Sequence, residues 1–173
     1  GGIVNNNIST DQSICIGTVP SNISGSVAGG GSGSTNYQWQ QSLNNNSWSD
    51  ISGANGVSFQ PPALTDTIWY RRIATTILCN GPQASISTVV RIIVNQNANA
   101  LFNPTSLIGC VTFNINNQVI NLSPDNTNVK EYRWFVDGKL VGNEQAFPGY
   151  VMTTPGDSST IKLVAISRFG CIN

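Results

Sequence analysis

The sequence predicts an all-β fold: two tandem β-sandwiches, the second lacking its last strand. Three observations carry this expectation. Short runs rich in β-branched and aromatic residues alternate with clusters of Gly, Pro, Asn and Ser, and no segment sustains a 3.6-residue apolar period. Tyr37 and Trp39 in YQWQ recur 95 residues later as Tyr132 and Trp134 in YRWF, and Cys15 and Cys110 share the same offset. Cys79 is followed by the strand-like run STVVRIIV, whereas Cys171 is followed by Ile172 and Asn173.

The repeat sets the domain organisation. Cys79 follows Trp39 by 40 residues and Cys171 follows Trp134 by 37, so four landmarks recur in one order. The polar joint NANA after STVVRIIVNQ places the boundary between domains at 1–96 and 97–173, and so short a joint restricts the angles between them. In the first copy NISGSV, NYQWQQSL, WSDI, VSFQ, TIWYRRIATTIL and STVVRIIV read as strands. Period 2 places Tyr37 and Trp39 on one face, as it does Tyr132 and Trp134. These four are the expected core anchors, a Trp on a central strand being the usual pin of a β-sandwich. LNNNSWSDI reads as a hairpin with the asparagine run at its tip, because Asn tolerates the left-handed region and bonds its own backbone. In RWFVDGKLVG, Asp137-Gly138 suits a type I′ turn, which needs positive φ at both positions.

Composition restricts the function classes. Charged residues are 9% of the 173-residue chain, its formal net charge is +0, and it contains no histidine. An ordinary soluble domain carries about 25% charged residues. Without clustered Lys and Arg, neither nucleic acid nor a membrane surface is an expected partner. No apolar run reaches 18 residues, so no membrane insertion is expected, and the first ten residues do not form a signal peptide. The absence of histidine removes the Ser/His and Cys/His constellations and the commonest metal ligand. The expected reading is therefore no enzyme, no cofactor and no metal.

The remaining candidates read as structural. Asp and Glu sit mostly in turn contexts, with no pair spaced for glycosidase work. AGGGSGS (Ala28 to Ser34) lacks the Lys-Ser/Thr of a phosphate loop and reads as a connection between strands. SPDNTN (Ser123 to Asn128) offers calcium a single carboxylate and reads as a turn. Arg71 and Arg72 alternate faces, so one points outward and one inward or toward an edge, and such a pair reads as a solvated edge rather than an anion site. Trp48 and Trp69 are the candidate ligand aromatics.

The run from Cys15 to Val94, with CIGT, YQWQQSLNNNSWSDISGA, FQPPALTDTIWYRRIATTIL and STVVRIIV, strongly resembles immunoglobulin-like repeats of large secreted Bacteroidetes proteins. The second half is similar, more loosely, to PKD-type sandwiches, departing from their pattern at WFVDGK. The resemblance implies an extracellular or cell-surface location, as in type IX-secreted proteins and gliding-motility adhesins, and stalk or adhesin duty. DTI (Asp66 to Ile68) resembles the short O-glycan acceptor pattern of secreted Bacteroidetes proteins, making Thr67 the candidate glycosylation site.

Four cysteines allow three connectivities, and the repeat favours Cys15–Cys79 with Cys110–Cys171. Closing each such loop of some 60 residues is worth roughly 4 kcal/mol on the chain-entropy model. A four-thiolate metal site is disfavoured, since no CxxC spacing exists. A second sandwich without its last strand presents an open edge, explained by continuation in a longer chain or by a strand from a neighbour, for which GGIVNNNIST is the candidate donor. The expected function is a non-catalytic stalk, spacer or fibre-forming module whose partners are neighbouring repeats or subunits of the same protein. The alternative is a carbohydrate-binding accessory region of a secreted enzyme, with surface glycans as partners.

Overall fold

The computed structural model describes residues 2–30, 34–78, 81–103, 112–115, 119–124, 127–154, 156 and 158–173. All regular elements are strands: β1 (Gln12–Cys15), β2 (Asn36–Ser42), β3 (Ser49–Asp50), β4 (Ile68–Leu78), β5 (Gly81–Ile86), β6 (Val90–Asn95), β7 (Phe113–Asn114), β8 (Val129–Val136), β9 (Lys139–Gly142), β10 (Val151–Met152) and β11 (Ile161–Ser167). No described helix is long and apolar enough to cross a membrane. The chain divides into two compact units, Gly1–Asn95 and Gln96–Asn173.

In the first unit one sheet runs β1-β6-β4-β2-β3, with β5 also paired to β4. β1 and β6 are parallel, from Gln12 opposite Ile92 to Cys15 opposite Asn95, and the other pairs are antiparallel. A sparser layer is held by single bridges, Val4 to Gly29, Ile8 to Gly25 and Ile23 to Phe59. Residues 4–9 are thus paired within their own unit. Alternation on β2, β4 and β6 turns Trp39, Tyr70, Val90 and Ile92 inward, where they meet Ile23 and Leu64. Trp39 stacks on Phe59 at 5.6 Å, and its indole N–H donates to the Gly56 carbonyl at 2.9 Å.

The second unit carries two small sheets among its described residues. One sheet runs β11-β8-β9, and β7 pairs with β10 in the other layer. Trp134 on β8 is fully buried and meets Phe102 and Phe147 edge-on at 5.5 and 5.2 Å. Its indole N–H donates to the Glu144 carbonyl at 3.2 Å, the same use of the ring as in the first unit. β8 and β9 are joined by Asp137 and Gly138, with φ of 49° and 77°, the pair of positive values a type I′ turn requires. On the side of β11 away from β8, the described residues make one bridge, Ile166 to Ile172.

Each of the expected bonds, Cys15–Cys79 and Cys110–Cys171, includes one cysteine beyond the described residues. Cys79 and Cys110 are outside the described residues; Cys15 and Cys171 are both disulfide-bonded.

Tyr70 is 1% exposed, and its hydroxyl has no hydrogen-bond partner. Burial pushes its pKa up to about 12 from 10.0. Because the folded value lies above the unfolded one, stability from the protonated phenol is complete below pH 10 and is lost as pH rises toward 12. Alkaline unfolding of the first unit, followed by near-ultraviolet circular dichroism, is expected in that window. Tyr70→Phe removes a desolvated hydroxyl without stranding a partner, so it is expected to be neutral or to stabilise by up to about 1 kcal/mol and to shift the alkaline transition upward.

Candidate functional site

The two faces of β4 in the first unit do different work. Inward, Arg72 sits opposite Trp39 on β2 and is 0% exposed. Its Nε donates to Asn6 Oδ1 at 2.9 Å, Nη2 to the Ser26 and Asn7 carbonyls at 2.9 and 3.4 Å, and Nη1 to the Val57 carbonyl. Its guanidinium lies 4.4 Å from the Tyr37 ring centroid. Burial lowers the Arg72 pKa, and the charge of Tyr37 opposes that shift. The expectation of a solvated Arg71/Arg72 edge is corrected for Arg72, because pairing with β2, β5 and β6 makes β4 a central strand. Gly25 leaves the space: a Cβ there would collide with Arg72 Nη1 and the Val57 carbonyl. Tyr37, expected as a core anchor beside Trp39, is half-buried; it floors the guanidinium and accepts the Ala28 N–H at 2.8 Å.

Outward, the sheet carries an ordered row. Trp69 on β4 lies opposite Arg91 on β6 and opposite Ser42 on β2. The β2–β3 register, Gln41 with Ser49, puts Trp48 one position further, opposite Ser42 on its other side. Arg71, two residues along β4, pairs with Gln40, which pairs with Asp50. The Arg71 guanidinium lies 4.2 Å from the Trp48 ring centroid, and that of Arg91 lies 5.3 Å from Trp69. Arg71 Nε donates to Gln40 Oε1 and Gln40 Nε2 to Asp50 Oδ1, both at 2.7 Å. Both indoles are half-buried. Beside the row, the β2–β3 connection borders a shallow depression of about 340 Å³ whose lining is mostly apolar, with Leu43 and Ile68 beside Gln41, Ser42, Asn44 and Ser49.

Trp48 is positioned by its hairpin. Asn45 has φ of 57°, and the Asn44 side-chain oxygen accepts the N–H groups of Asn46 and Ser47 at 2.9 and 2.8 Å, so the asparagines shape the tip. The structure thus brings Trp48 and Trp69 to one face and adds Gln40, Asp50, Arg71 and Arg91. For Gln40 and Arg71 the signal was the alternation around Trp39 and Arg72; Arg91 had none. Thr67 is half-buried, its hydroxyl accepting the Val94 N–H at 3.0 Å. Asp125 of the calcium candidate and residues 31–33 of the glycine-rich stretch lie outside the described residues.

A family model described as Domain of unknown function (DUF8696) matches residues 4–96, more than half of the chain. A solved structure described as Clostridium thermocellum CbhA fibronectin(III)-like modules is 15% identical, with a TM-score of 0.36, over 99% of this chain and 88% of that one. At that score the likeness carries no conclusion about this fold. No curated protein matches.

Arg72→Met leaves the Asn6 side chain and the Val57 and Ser26 carbonyls without their donors, and is expected to cost the first unit about 3 kcal/mol or more. Asn6→Ala is expected to cost about 1–3 kcal/mol by stranding Nε. Urea unfolding followed through backbone-amide exchange reads the second unit, Gln96–Asn173, separately from the first. A matching loss in that unit would mean that the effect is not local to the Arg72 nest.

Proposed function

We propose that this chain, which belongs to the family described as Domain of unknown function (DUF8696), is a load-bearing and adhesive segment of an extracellular bacterial surface protein and catalyses no reaction. Its two units are read as tandem immunoglobulin-like and PKD-like sandwiches, of the kind its YQWQ, WSDI and YRR motifs resemble in secreted Bacteroidetes proteins. Bonded Cys15 and Cys171 support an oxidising compartment. A surface solubilised by amides and hydroxyls suits the same location.

The observation that carries the mechanical part is the parallel pairing of β1 with β6. β1 lies early in the first unit and β6 closes it, so tension along the chain slides one strand past the other. All the ladder bonds between them then resist together, whereas strands peeled from one end yield one bond at a time. A second reading, a carbohydrate-binding accessory region of a secreted enzyme, is favoured by Trp48 and Trp69 lying half-exposed on one sheet face.

Single-molecule pulling through the termini tests the mechanical reading. The first unit is expected to unfold in one distinct high-force event. Ile14→Pro, which removes an N–H from β1, is expected to lower that force strongly, whereas Ile14→Val controls for lost packing and lowers it slightly. Featureless extension, or an event unaffected by the proline, would rule out load-bearing through this pair.

A further inference from the structure

We propose that the outward sheet face of the first unit binds an acidic polysaccharide, with Trp48 and Trp69 against sugar rings and Arg71 taking a carboxylate between them. This deepens the adhesive part of the reading above and rests on it; the mechanical part stands apart from it.

The spacing supports a chain lying across the strands. Trp69 and Trp48 are two strand positions apart in one row, with Ser42 between. Neighbouring strands lie about 4.8 Å apart, so the two indoles spring from backbones roughly 10 Å apart. That is close to the length of two sugar rings in an extended glycan. Each indole lies against a guanidinium, Trp48 with Arg71 and Trp69 with Arg91, which limits its freedom before a ligand arrives.

Charge selects the class of glycan. Arg71 engages Nε with Gln40, and its two terminal nitrogens have no hydrogen-bond partner among the described residues. These form the fork that receives a carboxylate in two parallel bonds. Asp50 is turned to the Gln40 amide and Asp11, beside Arg91, accepts the Arg91 backbone N–H, so the Arg71 fork is the uncommitted charge of the face. A neutral glycan would leave that fork unmatched. Phosphate-rich polymers draw on clustered Lys and Arg, whereas this face presents two arginines, Arg91 beside Trp69 and Arg71 over Trp48.

The test is binding of the whole chain to three probes by isothermal titration calorimetry: a polygalacturonate oligomer, a neutral β-1,4-glucan oligomer of equal length, and dextran sulfate. Polygalacturonate is expected to bind at least tenfold more tightly than either of the others. Arg71→Gln is expected to weaken it tenfold or more, and Trp48→Ala likewise. Arg71→Lys, which keeps charge but loses the fork, is expected to fall between Gln and the unaltered protein. Unchanged thermal unfolding of Arg71→Gln separates lost binding from lost folding; if that variant unfolds, Arg71→Lys and Trp48→Ala decide. No binding of polygalacturonate, equal binding of the neutral glucan, equal binding of dextran sulfate, or binding indifferent to these substitutions would each overturn the proposal. None of those results would alter the pulling behaviour that tests the load-bearing role.

Discussion

Burying a guanidinium strands its N–H donors in a low-dielectric interior unless each finds an acceptor. In the first unit the acceptors for Arg72 come from three separate stretches of chain: Asn6 and Asn7, Ser26, and Val57. None of these belongs to a strand of the main sheet. A single side chain on β4 therefore collects the segments of the sparser layer, where isolated bridges replace continuous ladders. The interaction is mutual, because Asn6 returns its amide N–H to the Ser85 and Arg72 carbonyls. Removing either partner leaves the other desolvated and unsatisfied. That asymmetry makes the nest more consequential than the net value of its bonds.

The second unit solves the same packing problem differently. Where Trp39 faces Arg72 across the strand pair, Trp134 faces Leu163. With an aliphatic side chain at that position no polar nest is needed, and Phe102 and Phe147 close on Trp134 instead. What the units share is the tryptophan at the middle of a central strand with its N–H tied to a loop carbonyl further along the chain. The tryptophan defines where each core is. Its cross-strand neighbour decides whether that core is closed by hydrocarbon contact or by hydrogen bonds.

Much of this was legible from residue order. The asparagine tip and the Asp137-Gly138 turn depend on local chemistry, which a sequence displays directly. Arg72 was not legible. Next to Arg71 it reads as half of a solvated pair, and its burial follows from which residues β4 meets on β2, a matter of strand pairing. β1 also escaped notice: QSIC is short, and its parallel partner β6 lies about 80 residues away. Trp48 and Trp69 could be named as candidates, but their alignment in one row with Arg91 and Arg71 exists only in the register of four strands.

The distribution of charge in this fold has a consequence for its environment. The ion pair among the described residues, Arg133 with Glu131, is solvent-accessible and joins neighbours on one strand. Arg72 is held by carbonyl and amide dipoles in the interior, where dissolved ions do not reach. Salt therefore finds little to screen among the described residues of the fold. The same salt acts on Arg91 and Arg71 at the surface, so the proposed carboxylate contact is the part of this molecule that salt would weaken.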